Sequence, residues 1–283
     1  MKHTIKNVVA AAVRSSVKIA EGTALGRFAV EQVLRTAVGQ TRPVRHRGVD
    51  LTFAVPNSLN RFRIDTFSTK EPETLEWIDS LPARSVLWDV GANIGLYTCY
   101  AAKARGCRVF AFEPSVFNLE LLARNIFLNN LTESATIIPL PLSDVTAIST
   151  LNMTSQEWGG ALSTFGQSYT QDGRALSRVF EFRTVGVSMV DAAEHLKLAR
   201  PDYIKMDVDG IEHLILKGGG SVLKDVKGLL VEINDEFEEQ VVTAARHLYA
   251  AGLILKEKRH AAMFDDSPYR NSYNQIWHRP QAA

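Results

Sequence analysis

From residue 85 onward the chain alternates short apolar runs with longer amphipathic stretches. Continuous apolar runs suit strands buried on both faces, and a 3.6-residue period marks the helices that cover them. The pattern predicts strands at 85–89, 109–113, 135–140, 203–207 and 228–233, with helices at 96–104, 116–129, 190–198, 211–218 and 238–250. Strand–helix alternation of this kind predicts an α/β fold built on a doubly wound, mostly parallel sheet. Between 146 and 187 the alternation lapses. Weaker strand patterns at 148–152 and 179–187 flank a polar, glycine-containing loop at 156–174. Segments 253–258 and 274–278 read as a terminal antiparallel strand pair.

Residues 4–38 carry few glycines and no proline, and their apolar positions make a broad helical face. Gly22 and Gly26 divide this stretch into two helices. Its polar face is basic through Lys6, Arg14, Lys18, Arg27 and Arg35, against Glu21 and Glu31. Segment 39–43 reads as a break. Strand 49–55 is expected to pair with 61–67 across Pro56-Asn57-Ser58, and 71–80 is a short helix with Pro72 in its first turn. The chain therefore divides into a helical extension, 1–45, and a domain, 46–283, with its core at about 70–258.

The strand ending in Asp89 runs into Gly91-Ala92-Asn93-Ile94-Gly95, and the next strand ends in Glu113 about 20 residues later. A glycine turn admits a ligand close to the backbone, and an acid at that spacing accepts hydrogen bonds from ribose hydroxyls. A dinucleotide turn is G-x-G-x-x-G, whose second glycine clears space for pyrophosphate. Here that position is Asn93 and the third glycine position is Leu96. A side chain at 93 obstructs pyrophosphate but can bond a smaller polar group. Asp89 would repel phosphate and attract an ammonium. S-adenosylmethionine, an adenosine with an amino-acid tail and no phosphate, meets these constraints. The bland alternative is that the two glycines only allow tight strand–helix packing.

Four motifs occur in order: Asp89-Val90-Gly91-Ala92-Asn93-Ile94-Gly95, Ala111-Phe112-Glu113-Pro114, Leu142-Ser143-Asp144 and Ile204-Lys205-Met206-Asp207-Val208-Asp209-Gly210-Ile211-Glu212. Over about residues 70–235 the chain resembles the FkbM-type family of S-adenosylmethionine-dependent methyltransferases. That resemblance implies a class I methyltransferase, Rossmann-like sheet, with Asp144 accepting from the adenine amine and Ser143 beside it. From the residues alone, a Ser-Asp pair after a strand equally suits a turn. It also implies O-methylation of sugars, polysaccharide ends or polyketide-type products. Methylation of nitrogen, or nucleoside binding without chemistry, are the alternatives.

Asp207 ends its strand at the same carboxyl edge as Gly91 and Glu113, where open α/β sheets bind ligands. It is the candidate base for an acceptor hydroxyl. With Asp209 and Glu212 it has the oxygens for a divalent cation, but that reading is not favoured and no metal ligand is assigned. Asp209 as helix cap and Glu212 as first-turn acid are the structural readings. Lys205 is expected to pair with an acid rather than touch substrate. Glu232 and Asn234 sit near the edge and could meet acceptor, as could Trp158, Gly159, Gly160 and Ser163 in the irregular insert. Of the histidines, His213 and His260 have the best, still weak, claim to a role.

The 283 residues are 46% hydrophobic, enough for one large domain with an extension. A formal charge of +1 offers no global attraction for nucleic acid. Two cysteines, Cys99 and Cys107, exclude a disulfide framework and point to a reducing compartment. No apolar run approaches the ~18–20 residues of a membrane span, and Arg14 interrupts the run from Val8 to Val13. The expected location is cytoplasmic. A small-molecule or glycan acceptor is expected. The apolar face of residues 4–38 must be buried somewhere: packing on the core or contact with another subunit in a homo-oligomer ranks first, and peripheral membrane association second.

Overall fold

The computed structural model describes residues 2–280. Seven strands make the central sheet: β1 (Val86–Val90), β2 (Arg108–Phe112), β3 (Ala135–Ile138), β4 (Tyr203–Met206), β5 (Gly228–Asn234), β6 (Ile254–Arg259) and β7 (Ser272–His278). Their order across the sheet is β6-β7-β5-β4-β1-β2-β3. β1 to β5 are mutually parallel, and β7 runs antiparallel between β5 and β6. The predicted strand positions agree with this sheet, and the terminal antiparallel pair is β6 and β7.

The inner strands feed two cores. Trp88, Val90, Phe110, Phe112, Ile204, Met206, Leu229 and Val231 point to one face. Leu87, Val109, Ala111 and Leu230, the alternate positions, point to the other. Period-two side chains that are apolar at every position can be satisfied only if helices cover both faces. Between β1 and β4 the chain order reverses, and the loops leaving these two strands part to form a crevice.

The insert forms a smaller sheet beside that crevice. Leu142–Ser143 pairs with Phe180–Ser188, which pairs with Ala147–Met153, which pairs with Thr164–Phe165. A separate hairpin, Thr41–His46 with Val49–Ala54, precedes the first core helices and runs across residue 45.

The expected pairing of 49–55 with 61–67 is wrong. Segment 61–67 falls mostly in the helix Ser58–Asp65, and the true partner of Val49–Ala54 is Thr41–His46, which begins inside the segment read as a break. Asn57 starts the helix, its side chain accepting from the Asn60 N–H at 2.8 Å. The apparent alternation at 61–65 concealed buried positions Asn60, Ile64 and Phe67, which are spaced for a helix.

Helices Lys2–Ala20 and Ala24–Val38 are separated at Gly22, with Thr23 Oγ1 accepting from the Gly26 N–H at 3.0 Å. Among the described residues no helix is long and apolar enough to cross a membrane. Cys99 and Cys107 are both buried and unbridged, and burial holds both thiols well above their usual pKa.

Candidate active site

The crevice has two lobes that share Gly91, Asn93, Ala161, Asp207 and Asp209 as a common wall. The smaller, about 70 Å³, is walled by Phe112, Pro114, Leu140, Leu142 and Phe165, with Glu113 at one end. The larger, about 230 Å³, is polar and charged, with Arg63, Lys70, Glu71, Lys205, Glu232 and Asn274 among its lining.

Gly91 sits at φ +81°, and a Cβ there would lie 1.8 Å from the Asp207 carbonyl oxygen. The glycine is required because the turns after β1 and β4 touch, rather than because a ligand needs the space. Gly95 at φ +83° lies off both lobes, and its missing Cβ makes room for Leu122. Asn93, at φ +50°, is a staple. Its N–H donates to Glu113 Oε2 at 2.7 Å, and its Nδ2 donates to the Gly160 carbonyl at 2.9 Å.

Glu113 is buried and also accepts from the Ser115 N–H through Oε1 at 2.8 Å. Burial pushes its pKa up to about 7, against the opposing pull of those two N–H donors. Each oxygen accepts one backbone hydrogen, and the Asn118 side chain acts as a third donor beside them. Among the described residues no cation lies within ion-pair distance of this carboxylate, and a carboxylate can accept from both hydroxyls of a vicinal diol. Apolar walls beside it suit a purine ring. Glu113 and these apolar walls are the groups that could hold a ribose diol and a purine ring.

Asp89 does not reach either lobe. It is buried, accepts from Thr98 Oγ1 at 2.5 Å, and lies 3.8 Å from Lys205 Nζ. The ammonium that attracts Asp89 in this fold belongs to Lys205, which stands opposite it in the β1–β4 register. Ser143 and Asp144 also lie off the lobes. Asp144 is drawn outward by Lys217, whose Nζ donates to it at 2.9 Å; Pro141 and Leu142 line the smaller lobe in their stead. Of the expected site residues, the fold assembles Gly91, Asn93, Glu113 and Asp207.

Asp207 lies at the shared wall and accepts from Lys205 Nζ through Oδ2 at 3.3 Å. Burial alone would lower the Lys205 pKa, but Asp207, Asp89 and Glu71 override it and raise it, so this ammonium stays charged. It also lies 5.3 Å from the centre of the Tyr97 ring. Lys70 pairs with Glu71, and Lys70 and Lys205 outweigh burial to hold the Glu71 carboxyl down at about 2. For Glu232, burial, then Asp207 and Glu71, outweigh Lys70 and drive its pKa well above the usual carboxylate value.

Asp209 is not a helix cap. Its side chain reaches across to the insert and accepts from the Leu162 N–H at 2.6 Å, while burial and then Asp207 raise its pKa to about 6. Glu212 is structural: its two oxygens accept from the Val208 and Gly210 N–H groups at 3.0 Å and so close the loop after β4. Trp158 packs on Ala54, Ile94 and Leu121, and Ser163 borders the smaller lobe. His260 lines the larger lobe and stacks on Tyr273 at 4.4 Å, whereas His213 is buried against Phe237. Arg63, Lys70, Glu71 and Tyr97 were not foreseen. Arg63, Lys70 and Glu71 come from segments without a motif, where only Pro72 gave a local signal, and Tyr97 comes from the first turn of the helix that the glycine turn opens. Among the described residues no group of three or more His, Cys, Asp or Glu is placed to hold a metal ion.

The strand order and the crevice at its reversal define a class I methyltransferase, Rossmann-like fold. The family model described as Methyltransferase FkbM domain matches residues 89–259, and the chain belongs to that family. It is similar to the hexuronic acid methyltransferase AglP of Haloferax volcanii, with 28% identity over 164 residues, 56% of this chain and 59% of that protein. Methyltransferase sdnD of Sordaria araneosa is 28% identical over 162 residues, 50% of this chain and 62% of that one. The chain thus spans about three-fifths of the length of either relative. Among solved structures, fibrillarin of Aeropyrum pernix in complex with S-adenosyl-L-methionine superposes with a TM-score of 0.47 at 12% identity, covering 85% of this chain and 83% of that one. Precorrin-6y C5,15-methyltransferase of Geobacter metallireducens gives 0.42 at 14% identity, covering 74% and 87%.

Proposed function

We propose that this protein binds S-adenosylmethionine and transfers its methyl group to a hydroxyl oxygen of a sugar, glycan or natural product. The observation that carries the reading is Glu113, a buried carboxylate without a cationic partner, between apolar walls and one shared wall away from a charged lobe. The cofactor, when bound, supplies an electrophilic methyl on a sulfonium. The demand on the protein is alignment of donor and acceptor. In this reading Glu113 holds the ribose, the larger lobe holds the acceptor, and Asp207 between them accepts the hydroxyl proton.

The larger lobe offers donors and acceptors for a polyhydroxylated molecule: Arg63, Lys70, Glu71, Asn274 and Ser272, with Phe62, Phe264 and Tyr269 as apolar surfaces. The name of the Haloferax volcanii relative supports a sugar-class acceptor. The smaller lobe is well below the several hundred cubic ångströms typical of ligand pockets. In this reading a nucleoside enters it as the loop around Ala161 moves aside, which the Leu162–Asp209 and Asn93–Gly160 hydrogen bonds resist.

Calorimetry on the purified chain is expected to show binding of S-adenosylmethionine or its demethylated product and none of NAD, because Asn93 occupies the pyrophosphate position. Equal or tighter affinity for NAD would sink the reading. A tritiated-methyl assay over a panel of hydroxyl and amine acceptors then separates oxygen transfer from nitrogen transfer, and both from binding without turnover.

Glu113→Gln is expected to weaken cofactor binding by about 1–3 kcal/mol, since a charged acceptor is lost opposite the diol. The parent should bind progressively less well as pH falls through about 7, where Glu113 takes up its proton. In the variant that pH dependence should vanish. The effect on the unliganded fold has the opposite sign. A carboxyl raised from 4.5 to about 7 contributes stability that is fully present below 4.5 and is lost as pH rises through 7. Unchanged cofactor affinity in the variant excludes Glu113 from the ribose.

A further inference from the structure

Residues 5–38 carry apolar surface that the rest of the fold does not cover. Ile5, Val8, Val9, Val13 and Ile19 on the first helix, and Leu25, Phe28, Val33 and Leu34 on the second, are each 56–78% exposed. No residue of Ala24–Val38 is buried. Exposed aliphatic side chains at this density do not belong in water, and neither helix is long and apolar enough to span a bilayer.

Charge says what covers them. Segment 5–38 has five cationic side chains and two acidic ones. Glu31 is taken by Arg35 at 2.6 Å. Among the described residues, Lys6, Arg14, Lys18 and Arg27 meet no carboxylate within ion-pair distance, whereas Arg42, Arg45 and Arg47 just beyond the helices each have one in Asp65, Asp50 and Asp79. At 100° per residue, Ile5, Val8, Val9 and Ile19 fall on one side of the first helix, with Arg14 and Lys18 on the other. Unpaired cations opposite an uncovered apolar stripe are the arrangement of a helix that lies in a membrane interface.

We propose that the two N-terminal helices seat this protein on an anionic lipid surface, with the apolar side chains at the headgroup–acyl boundary and the lysines and arginines on the headgroups. A second copy of the chain would cover the aliphatic side chains but leave the cations on the far side without counter-charge. The anionic surface satisfies both.

Flotation of the full-length protein with two kinds of vesicle tests this: phosphatidylcholine alone, and phosphatidylcholine with about one-third phosphatidylglycerol. Binding to the anionic vesicles is expected to be at least about tenfold tighter, and to weaken as salt shortens the screening length. Arg14→Glu with Lys18→Glu should reduce it by about tenfold or more, and Val8→Ser with Val9→Ser should abolish it. All four positions are exposed, so the thermal midpoint and cofactor binding of both variants should match the parent. Equal retention by the two lipids overturns the proposal, as does no retention by either. So does a lipid-free dimer that sediments as such, is dispersed by the valine variant, and leaves the vesicles alone.

Discussion

Lys205→Met is expected to destabilise the protein by about 3–5 kcal/mol, since breaking a buried pair from one side strands its partner's charge. Lys205 is 2% exposed and faces Asp89, itself 1% exposed, with one carboxylate oxygen that has no hydrogen bond. Methionine fills much of the volume but leaves Asp89, Asp207 and Glu71 without the ammonium that faces all three. Urea unfolding measures the loss. Already in the parent, burial holds the Asp89 pKa above its ordinary 3.8 despite Lys205. In the variant, neutralisation becomes the main escape. The folded state then binds a proton that the unfolded state releases, so the deficit should shrink as pH falls through the raised Asp89 value toward 3.8. Adding Asp89→Leu should recover part of the loss. A cost under about 1 kcal/mol, the scale of a surface pair, means that Lys205 is not the counter-ion of this core.

Asp207→Asn is expected to fold, to keep most of its affinity for S-adenosylmethionine, and to lose about 10²–10⁴-fold in turnover, the scale of a lost general base. The side chain faces both lobes, and Lys205 retains Asp89 and Glu71 when one anion is removed. The stability cost should therefore be well below that of the lysine variant. Single-turnover methyl transfer separates the roles: a base affects the transfer step, whereas a binding residue affects the cofactor or acceptor constant. Turnover at the parent rate excludes Asp207 as base.

The chemistry-bearing motifs were legible because each is local. Gly91, Asn93, Glu113 and Asp207 end strands or sit in turns directly after them, and strand ends can be read from an apolar run. Arg63, Lys70, Glu71 and Tyr97 reach the larger lobe from segments whose local pattern specifies only helix and connection. Nothing within a few residues of Glu71 indicates that Lys205 will lie near it. The failure at 61–67 has a related cause. Over five residues an alternation of Arg, Phe, Arg, Ile and Asp is compatible with either period, and the Asn57 cap and the buried spacing of Asn60, Ile64 and Phe67 decided it.

By itself the sequence determined the doubly wound α/β sheet, its strand positions, the antiparallel end and the edge at which a ligand would bind. Those properties follow from side-chain period and from glycine and acid spacing along one stretch of chain. Only the tertiary structure decided which acids face the crevice. Asp89 and Lys205 are 116 residues apart and neutralise each other because β4 lies beside β1 in a register that sets them opposite. Asp144 pairs with Lys217 outside both lobes, and the insert is pinned over the crevice by Asn93 and Asp209. Partner choice among buried charges depends on distances of a few ångströms between strands. Those distances are set by the packing of the whole sheet, which no local pattern encodes.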